Sequence, residues 1–331
     1  MSLDETVSRH HEVLSTVSAD ASMHPKGQYA TVSRRDYFRT LPTGQVAPTP
    51  ERRRLHEQWI AEVIAEHPDV QAGKRAVVMA GPPGAGKGYV QQTKYDGLPG
   101  FIVCDPDKFK EKILEHEMQA GRLDELKPPV VHELESQGER FAPMEFASLV
   151  HEESSLLSSK LQDQLMQHEM NFVIDTVLKS EASAQVIASR LDNAEYKYNV
   201  VSVQTTEDVS KDSIRERWEK PYRKFLAGEQ SREGRMGGRQ VPSEFATSVF
   251  PVKGGPSTTQ GAALWLARNG TGVHSFQQFR RVEGKPHSLE KDLVKRDGKL
   301  IPRQQDLLQK SFPQPRPTGQ RKGRDESGIG R

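Results

Sequence analysis

Arg75-Ala76-Val77-Val78-Met79-Ala80-Gly81-Pro82-Pro83-Gly84-Ala85-Gly86-Lys87-Gly88 joins an apolar, β-branched run to a glycine-rich turn that ends in lysine. The run predicts a buried strand, and the turn fits G-x-x-x-x-G-K with Gly88 where a Ser or Thr is usual. Glycines at these spacings let successive backbone N–H groups converge as an anion nest, the following helix adds its positive N-terminal end, and Lys87 reaches outer phosphates. Gly81, Gly84, Ala85, Gly86, Lys87, Gly88 and Tyr89 are therefore expected to line a nucleotide site. The hydroxyl missing at Gly88 ordinarily ligates Mg²⁺. Either the metal is held through water and another carboxylate, or nucleotide is bound with weakened catalysis.

Outward from this loop, three more short apolar runs alternate with helical stretches: Phe101 to Cys104, Asn171 to Asp175 and Tyr198 to Val203. Such alternation predicts an α/β fold, a P-loop NTPase-type parallel sheet with helices on both faces. Ligands of such sheets bind beyond the carboxyl ends of the strands. The second run ends in Asp105-Pro106-Asp107 and the third in Asp175-Thr176, so these acidic groups should face the loop. One of Asp105 and Asp107 could take a proton from an acceptor hydroxyl while another carboxylate assists a metal, with helix capping as the plainer alternative for Asp107. Asp105 or Asp175 is the candidate metal ligand, directly or through water.

Glu153 interrupts an apolar stripe of the helix running from Met144 to about Met170. A carboxylate there needs a partner; a substrate hydroxyl is the expected one, an arginine the alternative. Farther along, helix 206–228 carries Arg217, and a Gly/Arg loop carries Arg239 between Gly238 and Gln240-Val241-Pro242. Arginines on such a hinge can close over a transferring phosphoryl group. Arg223 and Arg232 read as solvated.

The flanks differ from this middle. Residues 1–50, rich in Ser, Thr, His and Pro, predict a flexible arm with a short helix at 4–17. A kinase-like domain is expected over 51–280, followed by a basic, largely disordered tail over 281–331. The whole chain of 331 residues balances 47 Lys/Arg against 45 Asp/Glu. From Arg280 onward the count is 14 against 7, and before it 33 against 38. So small a basic excess, without interleaved aromatics, gives little reason to expect a nucleic-acid partner. The single cysteine, Cys104, excludes an internal disulfide and is compatible with a reducing cytoplasm. No run is long enough for a membrane helix, and Met1 to Glu5 lacks the start of a secretory signal.

In order and spacing these residues resemble the zeta toxins, P-loop kinases related in fold to chloramphenicol phosphotransferase and polynucleotide kinases. The resemblance runs over about 51–242. It rests on Leu55-His56, Gly81 to Lys87, Asp105 to Lys110, Leu149 to Ser154, Asn171 to Asp175, Arg217 and Gly238 to Pro242. It implies transfer of phosphate from ATP or GTP, with Mg²⁺, to the 3′-hydroxyl of the sugar in UDP-N-acetylglucosamine. Carried onto this chain, Lys87 binds the β/γ phosphates, Asp107 is the base, Glu153, Asp175 and Thr176 lie on the substrate side, and Arg217 and Arg239 clamp the γ-phosphate. It also implies a protein antitoxin that covers the nucleotide site, a role that the arm 1–50 or the tail could play in cis. Departures are Gly88 and the sequence Asp175-Thr176-Val177, where an acid followed by Gly-Thr is expected. The rival readings are a kinase of another nucleotide, NAD or a polynucleotide hydroxyl, and a nucleotide-binding module that has lost its chemistry.

Overall fold

The computed structural model describes residues 2–304. In chain order the elements are α1 (Leu3–Ser18), β1 (Phe38–Thr40), β2 (Val46–Pro48), α2 (Pro50–Ala65), β3 (Arg75–Ala80), α3 (Lys87–Lys94), β4 (Ile102–Cys104) and α4 (Pro106–Gln119). Then come α5 (Pro129–Ser136), α6 (His151–Gln167), β5 (Phe172–Thr176), α7 (Glu181–Asn193), β6 (Lys197–Gln204) and α8 (Glu207–Leu226). The chain continues through α9 (Arg232–Met236), α10 (Ser243–Ser248), α11 (Thr258–Asn269), β7 (Val273–Arg280), β8 (Ser288–Arg296) and β9 (Lys299–Pro302).

Seven strands form one sheet in the order β4-β5-β3-β6-β7-β8-β9, while β1 and β2 pair separately as an antiparallel hairpin. The first five strands of the large sheet are parallel, as continuous apolar runs require when both faces are covered. Val77 and Met79 of β3 face a cluster with Ala85, Val90, Val173, Val201 and Val203, whereas Ala76, Val78 and Ala80 enter the main core on the other face. Register pairs Met79 with Asp175 and Ala80 with Thr176. The carboxyl ends of β3 and β5 therefore finish level, and the glycine turn meets the acidic turn beside it.

Both flanks depart from expectation. The arm 1–50 is packed: Val7, Leu14 and Val17 of α1 are buried in the main core, and α1 carries a reciprocal cap between Ser2 and Glu5. Its apolar residues recur at helical spacing, but sparsely enough among Ser, Thr and His to read as solvated. Nor is the stretch after Arg280 a disordered tail from its start. Strands β8 and β9 add antiparallel to β7, with Val294 buried. Charged residues dominate β8, and most side chains of both strands are exposed or half-buried, as suits the edge of a sheet. The remainder of the expected tail, 305–331, lies outside the described residues.

Candidate active site

Gly86 has φ +85°, and an added Cβ would lie 2.6 Å from Nε2 of His287, so both conformation and space restrict this position to glycine. It ends the turn and opens α3 at Lys87, leaving the first backbone N–H groups of the helix free for an anion. Lys87 Nζ donates to the Gly81 carbonyl at 3.2 Å and lies 3.5 Å from Asp175 Oδ1. The turn is braced from outside by groups unread in the sequence. Arg281 Nη1 donates to the Gly84 carbonyl at 2.6 Å, His287 Nε2 meets the Ala85 carbonyl at 2.9 Å, and Ser210 Oγ donates to the Pro83 carbonyl at 2.6 Å. Tyr89 is exposed and stacks on His287, ring centroids 4.7 Å apart.

Asp105, at the end of β4, caps α4 by accepting from the Asp107 N–H at 2.8 Å. The capping role considered for Asp107 thus falls to Asp105. Asp107, in the first turn of α4, is left to pair with Arg239 Nη2 at 2.8 Å and with Lys110 Nζ at 3.1 Å. Burial would raise its carboxyl, but Arg239 and Lys110 hold it down to about 2. Asp105 behaves oppositely: burial, then the charges of Asp175 and Asp107, push it up to about 6. Asp175 is also raised, by burial and by Asp107, against the pull of Lys87. Three carboxylates thus lie together with two lysines and one arginine, Arg239 and Lys110 both on Asp107 and Lys87 on Asp175.

Arg217 projects from α8 at the mouth of this cleft and makes no salt bridge among the described residues. Desolvation by the cleft walls and the neighbouring Arg239 charge lower its pKa, while Asp107, Asp105 and Asp175 oppose that shift. Thr176 closes β5, its Oγ1 accepting from the Leu178 N–H at 3.1 Å. Arg223 and Arg232 carry out the solvated role expected of them, paired with Glu219 and with Glu111 and Glu115.

Glu153 is a correction. Instead of facing a sugar hydroxyl it is fully buried, with Arg52 Nε at 2.6 Å and Nη2 at 3.0 Å on its two oxygens and His56 Nε2 at 2.6 Å. Arg52 Nη1 also donates to Glu117 at 2.8 Å, and Tyr37 OH to the same carboxylate at 2.5 Å. Burial raises Glu153, but His56 and Arg52 hold it at about 2. The group ties α2, α4 and α6 together behind the cleft. Its apolar stripe faced an arginine on another helix, a pairing invisible to single-helix periodicity. The same polar stretch does contribute to the cleft through His151, two residues earlier, which sequence reasoning passed over. Burial, then the Lys110 charge, lower its pKa to about 4, so its ring is neutral near pH 7.

Among the described residues no cluster of three or more His, Cys, Asp or Glu could hold a metal by itself. Asp105 and Asp175 nonetheless fit a divalent cation shared with phosphate oxygens and water, because burial and neighbouring carboxylates raise both and a cation would relieve both. Gly88 leaves open space: an added Cβ would meet nothing within 4 Å. Cys104 is wholly buried with its thiol pushed up by desolvation, which removes it as a nucleophile. No helix among the described residues is long and apolar enough to cross a membrane.

Comparison with known proteins bears on the fold and the family. The solved complex of AvrRxo1-ORF1 and AvrRxo1-ORF2 with ATP contains a chain 15% identical, matched over 82% of this chain and 76% of that one with a TM-score of 0.51. The same complex with sulphate ions gives 14%, 80%, 73% and 0.50. The PezAT chromosomal toxin-antitoxin system of Streptococcus pneumoniae gives 13%, 74%, 83% and 0.45. At such identities the AvrRxo1 likeness is one of fold. No curated protein is significantly similar in sequence. The sequence model of the zeta toxin family, however, matches residues 60–253, more than half of the chain and the whole span from the glycine turn to the arginine loop. This chain belongs to the zeta toxin family.

Proposed function

We propose that this protein is a small-molecule kinase that moves the γ-phosphate of ATP or GTP to an alcohol, with the 3′-hydroxyl of UDP-N-acetylglucosamine as the acceptor that family membership favours, and that it acts as the toxin of a toxin-antitoxin pair. The observation that carries the reading is the pairing of Asp107 with Arg239 at 2.8 Å directly beside the Lys87 turn. A binding module has no need of a carboxylate and an arginine held against each other where a γ-phosphate would arrive.

In this reading the turn's N–H groups and Lys87 seat the β and γ phosphates. Arg239, drawn to the γ-phosphate, leaves Asp107 and so raises its basicity as the acceptor approaches. The acceptor oxygen bonds to phosphorus, its proton passes to Asp107, and the bond from phosphorus to the β-bridging oxygen breaks, leaving the nucleoside diphosphate. Arg217 and Arg239 offset the charge on the transferring group. Mg²⁺, held by Asp105 or Asp175 through water, would neutralise charge between the β and γ phosphates.

With Glu153 enclosed, contacts to the acceptor fall to Asp107, His151 and Thr176. An antitoxin covering the nucleotide turn belongs to the same proposal. Incubation with labelled ATP and UDP-N-acetylglucosamine tests it: a labelled sugar nucleotide supports the full reading. Labelling of NAD or another nucleotide instead would keep the kinase and replace the acceptor, and nucleotide binding without transfer to any metabolite would favour the inert module.

A further inference from the structure

We infer that His10, on the N-terminal helix outside the span matched to the family, is a positioning residue for the phosphate-clamping arginines Arg217 and Arg239. The inference rests on the kinase reading above. His10 is wholly buried, and both its ring nitrogens face carboxylates: Nδ1 lies 2.9 Å from Glu139 Oε2, and Nε2 lies 3.1 Å from Glu145 Oε2. Its ring stacks on Tyr222 of α8, centroids 4.5 Å apart and planes 7° from parallel. Carboxylates on both sides call for the doubly protonated ring, since each nitrogen must donate.

Glu145 is the hinge of the argument. Besides His10 it accepts from Trp218 Nε1 at 2.8 Å and from the Ala142 N–H at 2.9 Å. Trp218 directly follows Arg217 on α8. The turn before Arg239 is pressed on the same two residues: a Cβ on Gly238 would lie 1.9 Å from the Trp218 carbonyl oxygen, and one on Gly237 would lie 2.2 Å from Ala142 Cβ. One carboxylate thus fixes both surfaces on which the arginine turn rests, and His10 neutralises and orients that carboxylate. Removing the imidazolium leaves Glu145 buried with no cation among the described residues, Glu139 keeping Arg9, which should loosen Trp218 and Ala142 together.

Charged and titratable groups around His10 are Arg9 and His11 on its own helix, Glu139, Arg140 and Glu145 from the segment before α6, and Tyr222 from α8. Desolvation lowers the His10 pKa, but Glu145 and Glu139 outweigh it, so the net shift is upward. A raised histidine pKa means that the interaction is complete below the ordinary value and is lost as pH rises through the folded one.

The experiment measures, on the full chain, the affinity for a nonhydrolysable ATP analogue relative to ADP between pH 6 and 9.5, a ratio that isolates the hold on the γ-phosphate without requiring turnover. Wild type should prefer the triphosphate and lose part of that preference on the alkaline side. Arg239→Ala should lose it throughout. His10→Gln combined with Glu139→Gln should lower the ratio at pH 6.5 by at least about fivefold and flatten its pH dependence. The γ-phosphate's own titration is common to all the proteins and cancels between them. If the double variant keeps the wild-type ratio at every pH while Arg239→Ala loses it, the inference fails and the kinase reading stands. A wild-type protein with no preference overturns both. Should the double variant not fold, Glu139→Gln alone decides: by removing one of the two carboxylates that raise His10 it should move the alkaline fall to lower pH, and a fall left where wild type has it overturns the inference.

Discussion

Arg239 Nη2 lies 2.8 Å from Asp107 Oδ2, so the arginine of a glycine-hinged loop pairs with the carboxylate at the start of α4. The two side chains keep each other in place beside the phosphate turn. In the proposed reaction a γ-phosphate would offer Arg239 a second anion, and its transfer from one to the other would free Asp107 when the acceptor hydroxyl needs a base. Arg239→Ala should lower kcat by about 10³-fold, as expected for loss of a transition-state arginine. The affinity for ADP, which lacks the group it would hold, should change little. A loss confined to KM would contradict this assignment.

Asp105 predicts an opposite behaviour with pH. Its pKa is raised to about 6 by burial and by Asp175 and Asp107, so ionising it works against the folded state. Stability held while it is protonated is lost as pH rises from the ordinary aspartate range through about 6. Asp105→Asn should therefore raise the melting temperature at pH 7 relative to wild type, and the gain should vanish below pH 4. It should also weaken the dependence of activity on Mg²⁺. Melting curves at the two pH values check the first part, and a metal titration the second.

The strands β3 to β6, the phosphate turn and the separate positions of Asp107 and Arg239 could be read from the chain because each is local: an apolar run, a glycine spacing, an acid at a strand end, an arginine beside a hinge glycine. Glu153 could not. That it interrupts an apolar stripe was visible, but whether its partner was substrate or protein depended on Arg52, 101 residues away and placed by the packing of α2 on α6. The braces Arg281 and His287 were hidden for the same reason, since the segment carrying them reads as a basic tail until β8 and β9 join the sheet. His10 belongs here too, a polar residue on a helix too sparsely apolar to announce its burial.

Glu153 itself carries a stability prediction. Its pKa of about 2 means that its pairing contributes fully above the ordinary glutamate value of 4.5 and is lost as pH falls through about 2. Glu153→Gln should destabilise the protein by about 3–5 kcal/mol at pH 7, because Arg52 is left buried with part of its charge unmatched. Denaturant unfolding at pH 7 and in acid measures both, and the deficit should shrink toward pH 2. A variant as stable as wild type, with impaired acceptor binding, would restore Glu153 to the substrate side.

Gly88 offers a gain. Open space surrounds its Cα, so a serine hydroxyl can enter without displacing anything, and serine favours the helix over glycine by roughly 0.3–0.5 kcal/mol. Gly88→Ser should lower the Mg²⁺ concentration giving half-maximal activity. An unchanged Mg²⁺ requirement would mean that the metal is already fully held by carboxylate and water.

Transfer of label from γ-labelled ATP into a pool of cellular metabolites, with wild type and Asp107→Asn side by side, tests the central claim most directly. Wild type should form an acid-stable labelled product. Asp107→Asn should form it about 10²–10⁴ times more slowly while binding nucleotide as tightly. A wild-type protein that binds ATP yet labels nothing, or an Asp107→Asn protein that labels at the wild-type rate, would contradict it.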